Sequence, residues 1–140
     1  MKLTQKTKYR IYFWLAYFLF EIHASVVYLH ESFKQFSWQK TVQLSAISEC
    51  TFLITEIPAS YIVLSIIDGK IKILKNKALR IFAVIVTVIF FVSLYRVLSH
   101  DLIFPFCYSF PEETTRFSLG GIFVAMMNIV FAIAIALGFE

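Results

Sequence analysis

Three carboxylates and one imidazole, Glu21, His23, Glu49 and Glu56, interrupt otherwise apolar stretches of this sequence. Those residue types are the raw material of general acid–base or proton-relay chemistry. In hydrocarbon each costs at least about a few kcal/mol, which makes them functional candidates wherever such a stretch crosses a membrane. Their spacing sorts them. Ser45, Glu49, Glu56 and Ser60 are separated by 4, 7 and 4 positions, so a helix carries them on one face. Tyr17, Glu21, Ser25 and Tyr28, at intervals of 4, 4 and 3, make a second stripe. Two such stripes on neighbouring helices are expected to face each other, because lipid offers neither a hydrogen-bond partner.

The same set is poor material for an enzyme. His23 follows Glu21 by two positions and points around a helix in another direction, which disfavours a two-residue metal site. The sequence has no GxGxxG or GxxxxGK[ST] loop, no CxxC or HExxH, and no GxSxG elbow. No nucleophile or metal-ligand spacing accompanies the acids, so an intramembrane acid–base enzyme ranks behind the other readings and no cofactor is expected. His100 beside Asp101 forms one weak candidate for a cation. Cys50 falls within an apolar stretch and Cys107 in a connection, depths that disfavour a disulfide.

The elements that must position these groups follow from composition. Of 140 residues, 59% are hydrophobic and 16% charged, with a mean hydropathy of +0.76. Soluble domains run about 45–50% apolar and about 25% charged, and a globule this small cannot hide the excess. The chain therefore reads as an all-α integral membrane protein: one membrane domain, residues 1–140, forming a bundle of four transmembrane helices. A span needs about 20 mostly apolar residues, and four stretches qualify: 11–29, 42–67, 78–98 and 117–139. A β-barrel is excluded by pattern, since Ile81–Phe91 is apolar at almost every position rather than alternating. A signal peptide is a weaker reading of the first stretch, because Glu21 and His23 follow its apolar part and no small-x-small cleavage site appears.

Charge sets the orientation. Lys2, Lys6, Lys8 and Arg10 precede the first span, and Lys70, Lys72, Lys75, Lys77 and Arg80 lie between the second and third. These clusters account for nine of thirteen cations, although the net charge is only +4. They read as topology determinants rather than a nucleic-acid surface, and place both termini in the cytoplasm of a multi-pass inner-membrane protein. The third connection, with Arg96, Arg116, Asp101, Glu112 and Glu113, then lies outside. Glu140 follows Gly138-Phe139 without a flanking cation, which suggests a fourth helix continuing beyond this chain.

Depth and backbone chemistry refine the candidates. At 1.5 Å per residue, Glu21 lies roughly 15 Å from the inner edge and Glu49 about 10 Å from the outer one. This favours Arg96 with Glu49 over Arg96 with Glu56. Pro58 leaves the Ile54 carbonyl without its helical donor and predicts a kink. Asn128 is the one strongly polar residue of the fourth span, and Gly120-Gly121 at its start would permit close packing without forming a GxxxG motif. Tyr9, Tyr12, Trp14, Trp38 and Tyr108 are placed for an interfacial aromatic belt.

The order of these features resembles the amino-terminal membrane module of LytS-like sensor histidine kinases of the Bacteroidota type. A basic start leads into an aromatic first span, FWLAYFLFE (Phe13–Glu21). A second span has an internal proline, EIPASYIVLSII (Glu56–Ile67), and a basic connection follows, KIKILKNKALR (Lys70–Arg80). The third span ends in an arginine and an aromatic-proline patch, YRVLSHDLIFPFCY (Tyr95–Tyr108). The resemblance implies a membrane input module that passes a signal to a cytoplasmic kinase region, homodimerises with it, and reaches a LytTR-type response regulator only through it. That region, with its phosphoacceptor histidine, is absent from this chain, and His23, His30 and His100 cannot replace it. The module's expected sensing or interhelical polar residues are Glu21, His23, Glu49, Glu56, Pro58, Arg96 and Asn128. The alternative is a small stand-alone membrane protein, a transport or assembly subunit; in both cases the bilayer is the first partner and nucleic acid is not one.

Overall fold

The computed structural model describes residues 5–32, 36–71, 76–107 and 116–139, without the side chains of residues 28–32. Expectations placed on Lys2, Lys72, Lys75, Tyr108, Glu112, Glu113 and Glu140, and on the side chains of Tyr28 and His30, lie outside these residues. Within them the structure is helical: α1 (Gln5–Ser32), α2 (Trp38–Ile67), α3 (Lys77–Leu98), a π-helical turn (Ser99–Ile103), α4 (Phe104–Cys107) and α5 (Leu119–Phe139).

Three stretches are long and apolar enough to cross a membrane: Trp38–Ile67, Lys77–Cys107 and Leu119–Phe139. A helix is the form that lets a single segment satisfy its own backbone polar groups in lipid, and each of these exceeds the length about 20 residues require. Among the described residues α1 does not join them, although its 28 residues are long enough. Tyr12, Trp14, Tyr17, Glu21 and His23 dilute its apolar character.

Helix ends are set by local chemistry. Ser37 begins α2, its Oγ accepting from the Lys40 amide at 3.4 Å and its carbonyl from the Thr41 amide at 2.9 Å. Asn76 caps α3 through the Ala78 amide at 3.0 Å. Ser118 caps α5, its Oγ accepting from the Gly121 amide at 3.2 Å. That cap explains why α5 starts two residues later than the apolar stretch does. After α2 the chain turns through Gly69 at φ 68°. The Lys70 amide donates to the Ser65 carbonyl at 3.1 Å and the Gly69 amide to the Ile66 carbonyl at 3.2 Å, a Schellman ending that requires the left-handed residue. Pro58 sits inside α2 without ending it, since the helix runs unbroken from Trp38 to Ile67.

The chain divides into two compact units, Met1–Cys50 and Thr51–Glu140, with the boundary inside α2. The first holds α1 and the opening half of α2, with Trp14, Tyr17, Val26 and Ser45 among its buried residues. In the second, α5 packs along α3. The buried face of α5 is Ala125, Ile129, Ala132, Ile133 and Ala136, and α3 offers Phe91, Val92, Tyr95 and Arg96. Three alanines on that face let two backbones approach closely, which is how membrane helices gain packing where lipid supplies no hydrophobic drive.

Candidate functional site

The second unit assembles its polar groups at the junction of α3, the π-helical turn and the start of α5. Arg96 is only 4% exposed, so its guanidinium needs partners. Its Nε donates to the Arg116 carbonyl at 2.8 Å. The guanidinium lies over Gly121, where a Cβ would collide with it, so the absence of a side chain there makes room for the cation. Arg116 in turn grips Asp101 with two bonds, Nη2 to Oδ2 at 2.6 Å and Nε to Oδ1 at 3.2 Å. His100 Nδ1 lies 2.7 Å from Asp101 Oδ1.

The π-helical turn brings this about. The Ser99 amide is shared between the Tyr95 and Arg96 carbonyls, and widening of the helix follows over Ser99–Ile103. Such π-turns recur at functional positions because they re-aim side chains without ending the helix. The result is a chain of contacts, His100–Asp101–Arg116–Arg96, that runs from an exposed carboxylate to a buried cation of α3 lying over Gly121 in the first turn of α5. In the sequence Asp101 and Arg116 are charges of the third connection; the structure makes them a bidentate pair.

Below this cluster Tyr95 joins three helices. Its ring stacks on Phe52 of α2, centroids 4.1 Å apart and planes within 7°, and its hydroxyl accepts from Asn128 Nδ2 at 2.6 Å. Asn128 thus meets α3, and Gly121 precedes it by seven positions on the same face of α5. Glu56, one turn beyond Phe52, is buried at 2% exposure. Tyr95 was not singled out from sequence. The available signal was a tyrosine in an otherwise apolar span, one position before its arginine.

The first unit brings one residue of each polar stripe together. Ser25 Oγ donates to Glu49 Oε1, tying α1 to α2. Glu49 is buried, and Glu21, one turn before Ser25, is half-buried. The rest of the α2 stripe behaves differently. Ser60 Oγ donates to the Glu56 carbonyl of its own helix at 2.8 Å, and Ser45 Oγ, fully buried, makes no hydrogen bond among the described residues. Within its own unit Glu49 accepts from Ser25, as Arg96 within its own donates to the Arg116 carbonyl.

His23 is exposed and lies on a groove of ≈ 920 Å³ between α1 and the start of α2. Leu19, Ile22, Val26 and Val27 form one wall, Val42 and Trp38 the other, with Gln39 and Gln43 beside them. Comparison with known proteins finds no matching family model, no similar curated protein and no similar solved structure.

Proposed function

We propose that this chain is the membrane-embedded input module of a two-component sensor histidine kinase, acting on a cytoplasmic kinase region outside these 140 residues. In this reading α1 is a fourth span, both termini face the cytoplasm, the module sits in the inner membrane as a homodimer, and a LytTR-type regulator is reached through the kinase. The observation that carries the reading is the contact chain from Asp101 through Arg116 to Arg96 over Gly121. It couples an exposed polar turn to the first turns of α5, the last helix before the kinase. A shift at the turn therefore becomes a displacement of α5. A bias of about 1.4 kcal/mol between two packings changes their ratio about tenfold, within reach of one rearranged ion pair.

The test joins Met1–Glu140 to a kinase body and measures autophosphorylation in membranes. Arg96→Ala and Pro58→Ala are expected to change output at unchanged insertion and expression. Wild-type output from both would remove the reading and leave a stand-alone membrane protein. A reporter after Glu140 or within Lys70–Lys77 is expected in the cytoplasm, and one at Pro111 outside; a cytoplasmic signal at Pro111 would overturn the orientation.

A further inference from the structure

The groove in the first unit presents a chemical problem. His23, Gln39 and Gln43 are exposed on its surface, and their side chains make no hydrogen bonds among the described residues. On the proposed reading of α1 as a fourth span, on which this inference rests, His23 and Gln43 fall within the membrane-crossing stretches 11–29 and 42–67, where lipid tails offer no partner. A concave site of ≈ 920 Å³ walled by Leu19, Val27 and Val42 is within the size range of small-molecule sites, which combine apolar walls with a few convergent polar groups.

The lining defines the ligand. Among the described residues no Asp, Glu, Lys or Arg borders the groove, so a fatty-acid carboxylate or a phospholipid phosphate would find no counter-charge among them. Donors come from both sides: an imidazole on α1 and two carboxamides one turn apart on α2. A neutral, flat molecule with carbonyl acceptors on opposite edges and an apolar tail uses all of these features, and the Trp38 indole supplies an aromatic face against which such a ring packs. We propose that the groove binds the ring of a membrane-dissolved quinone, with His23 on one carbonyl, Gln39 or Gln43 on the other, and the tail leaving through the open side. The inference goes beyond the kinase reading and is tested on this chain alone, so its failure would leave that reading intact.

The experiment uses Trp38 as its own reporter. The sequence has two tryptophans, and Trp14→Phe leaves Trp38 as the sole indole. In phosphatidylcholine nanodiscs, titration with ubiquinone-1 is expected to quench Trp38 saturably. His23→Leu and the paired change Gln39→Leu with Gln43→Leu are each expected to weaken that binding about tenfold or more, as loss of a hydrogen bond from an apolar site does. His23→Gln keeps a donor and is expected to stay within about threefold of the parent. Circular dichroism confirms that each variant is helical. Quenching that rises linearly with quinone and is equal in all variants would show collision in the bilayer and overturn the proposal. So would disulfide formation between copies through Val42→Cys, in a background without Cys50 and Cys107, since it would place a second chain in the groove.

Discussion

The two units solve the same problem, polar side chains in apolar helices, by opposite means. In Thr51–Glu140 the polar groups are consumed by the fold: Arg96 on the Arg116 carbonyl, Asn128 on Tyr95, and alanines holding α5 against α3. In Met1–Cys50 one hydroxyl meets one carboxylate, and His23, Gln39 and Gln43 are left at the rim of a groove. The second unit is thus closely packed with its polar groups paired, whereas the first leaves three polar side chains on a concave surface without hydrogen bonds among the described residues.

The largest expected effect is on the alanine face of α5. Ala132 is fully buried there, whereas Val130 is 47% exposed. Ala132→Leu forces α5 away from α3 and is expected to cost about 1–3 kcal/mol, the range for overpacking a close interface. Val130→Leu, facing outward, is expected to fall within about 0.5 kcal/mol of the parent. Reversible unfolding in mixed micelles reads both. Equal stability of the two variants would break the claim that close packing defines this unit.

Next comes the Gly121 cradle. Gly121→Ala puts a Cβ against the Arg96 guanidinium, which must then leave the Arg116 carbonyl. A cost of about 1 kcal/mol is expected, the worth of the displaced hydrogen bond. Most of it should vanish when Arg96 is already alanine, because the double-mutant cycle removes the collision. Additive effects would separate the cradle from the cation.

A smaller change tests Tyr95. Asn128→Ala removes the donor to its hydroxyl and is expected to cost about 0.6 kcal/mol, with about 1.7 as the upper end for interhelical bonds in membranes. Tyr95→Phe should cost a similar amount while keeping the ring stack on Phe52. A much larger loss in Tyr95→Phe than in Asn128→Ala would mean that the hydroxyl serves another partner as well.

Much of this architecture is written in local pattern. The uncharged run Ile81–Tyr95 and the alanine-rich α5 declare themselves by length and apolarity, and all four predicted stretches fall on helices. What was hard to read is pairing between helices. The α5 face is encoded as Gly121, Ala125, Ala132 and Ala136, spaced 4, 7 and 4, yet a search for GxxxG alone passes over it. The Asp101–Arg116 grip spans fifteen positions and depends on the π-helical turn, a backbone change that no periodicity announces. Serines mislead for another reason: in a helix they can bond the preceding turn, as Ser60 does with Glu56, so a polar stripe overstates the number of interhelical bonds.

The smallest effect is expected at the hydrogen bond from Ser25 to Glu49 between the helices of the first unit. Glu49→Gln retains a side-chain oxygen that can accept from Ser25, so the α1–α2 bond survives. Glu49→Leu removes the acceptor, yet Ser25 then has a fallback in the carbonyl of Glu21, four residues back, the bond Ser60 and Thr87 make in their own helices. Leu also spares the cost of holding a polar group at 8% exposure. The two terms oppose each other, so Glu49→Leu is expected to be less stable than Glu49→Gln by about 0.6 kcal/mol or less. Unfolding both in the same micelles measures the difference directly. A gap as large as that of Ala132→Leu would mean the first unit is held as tightly as the second, and the contrast in packing between the two units would fail.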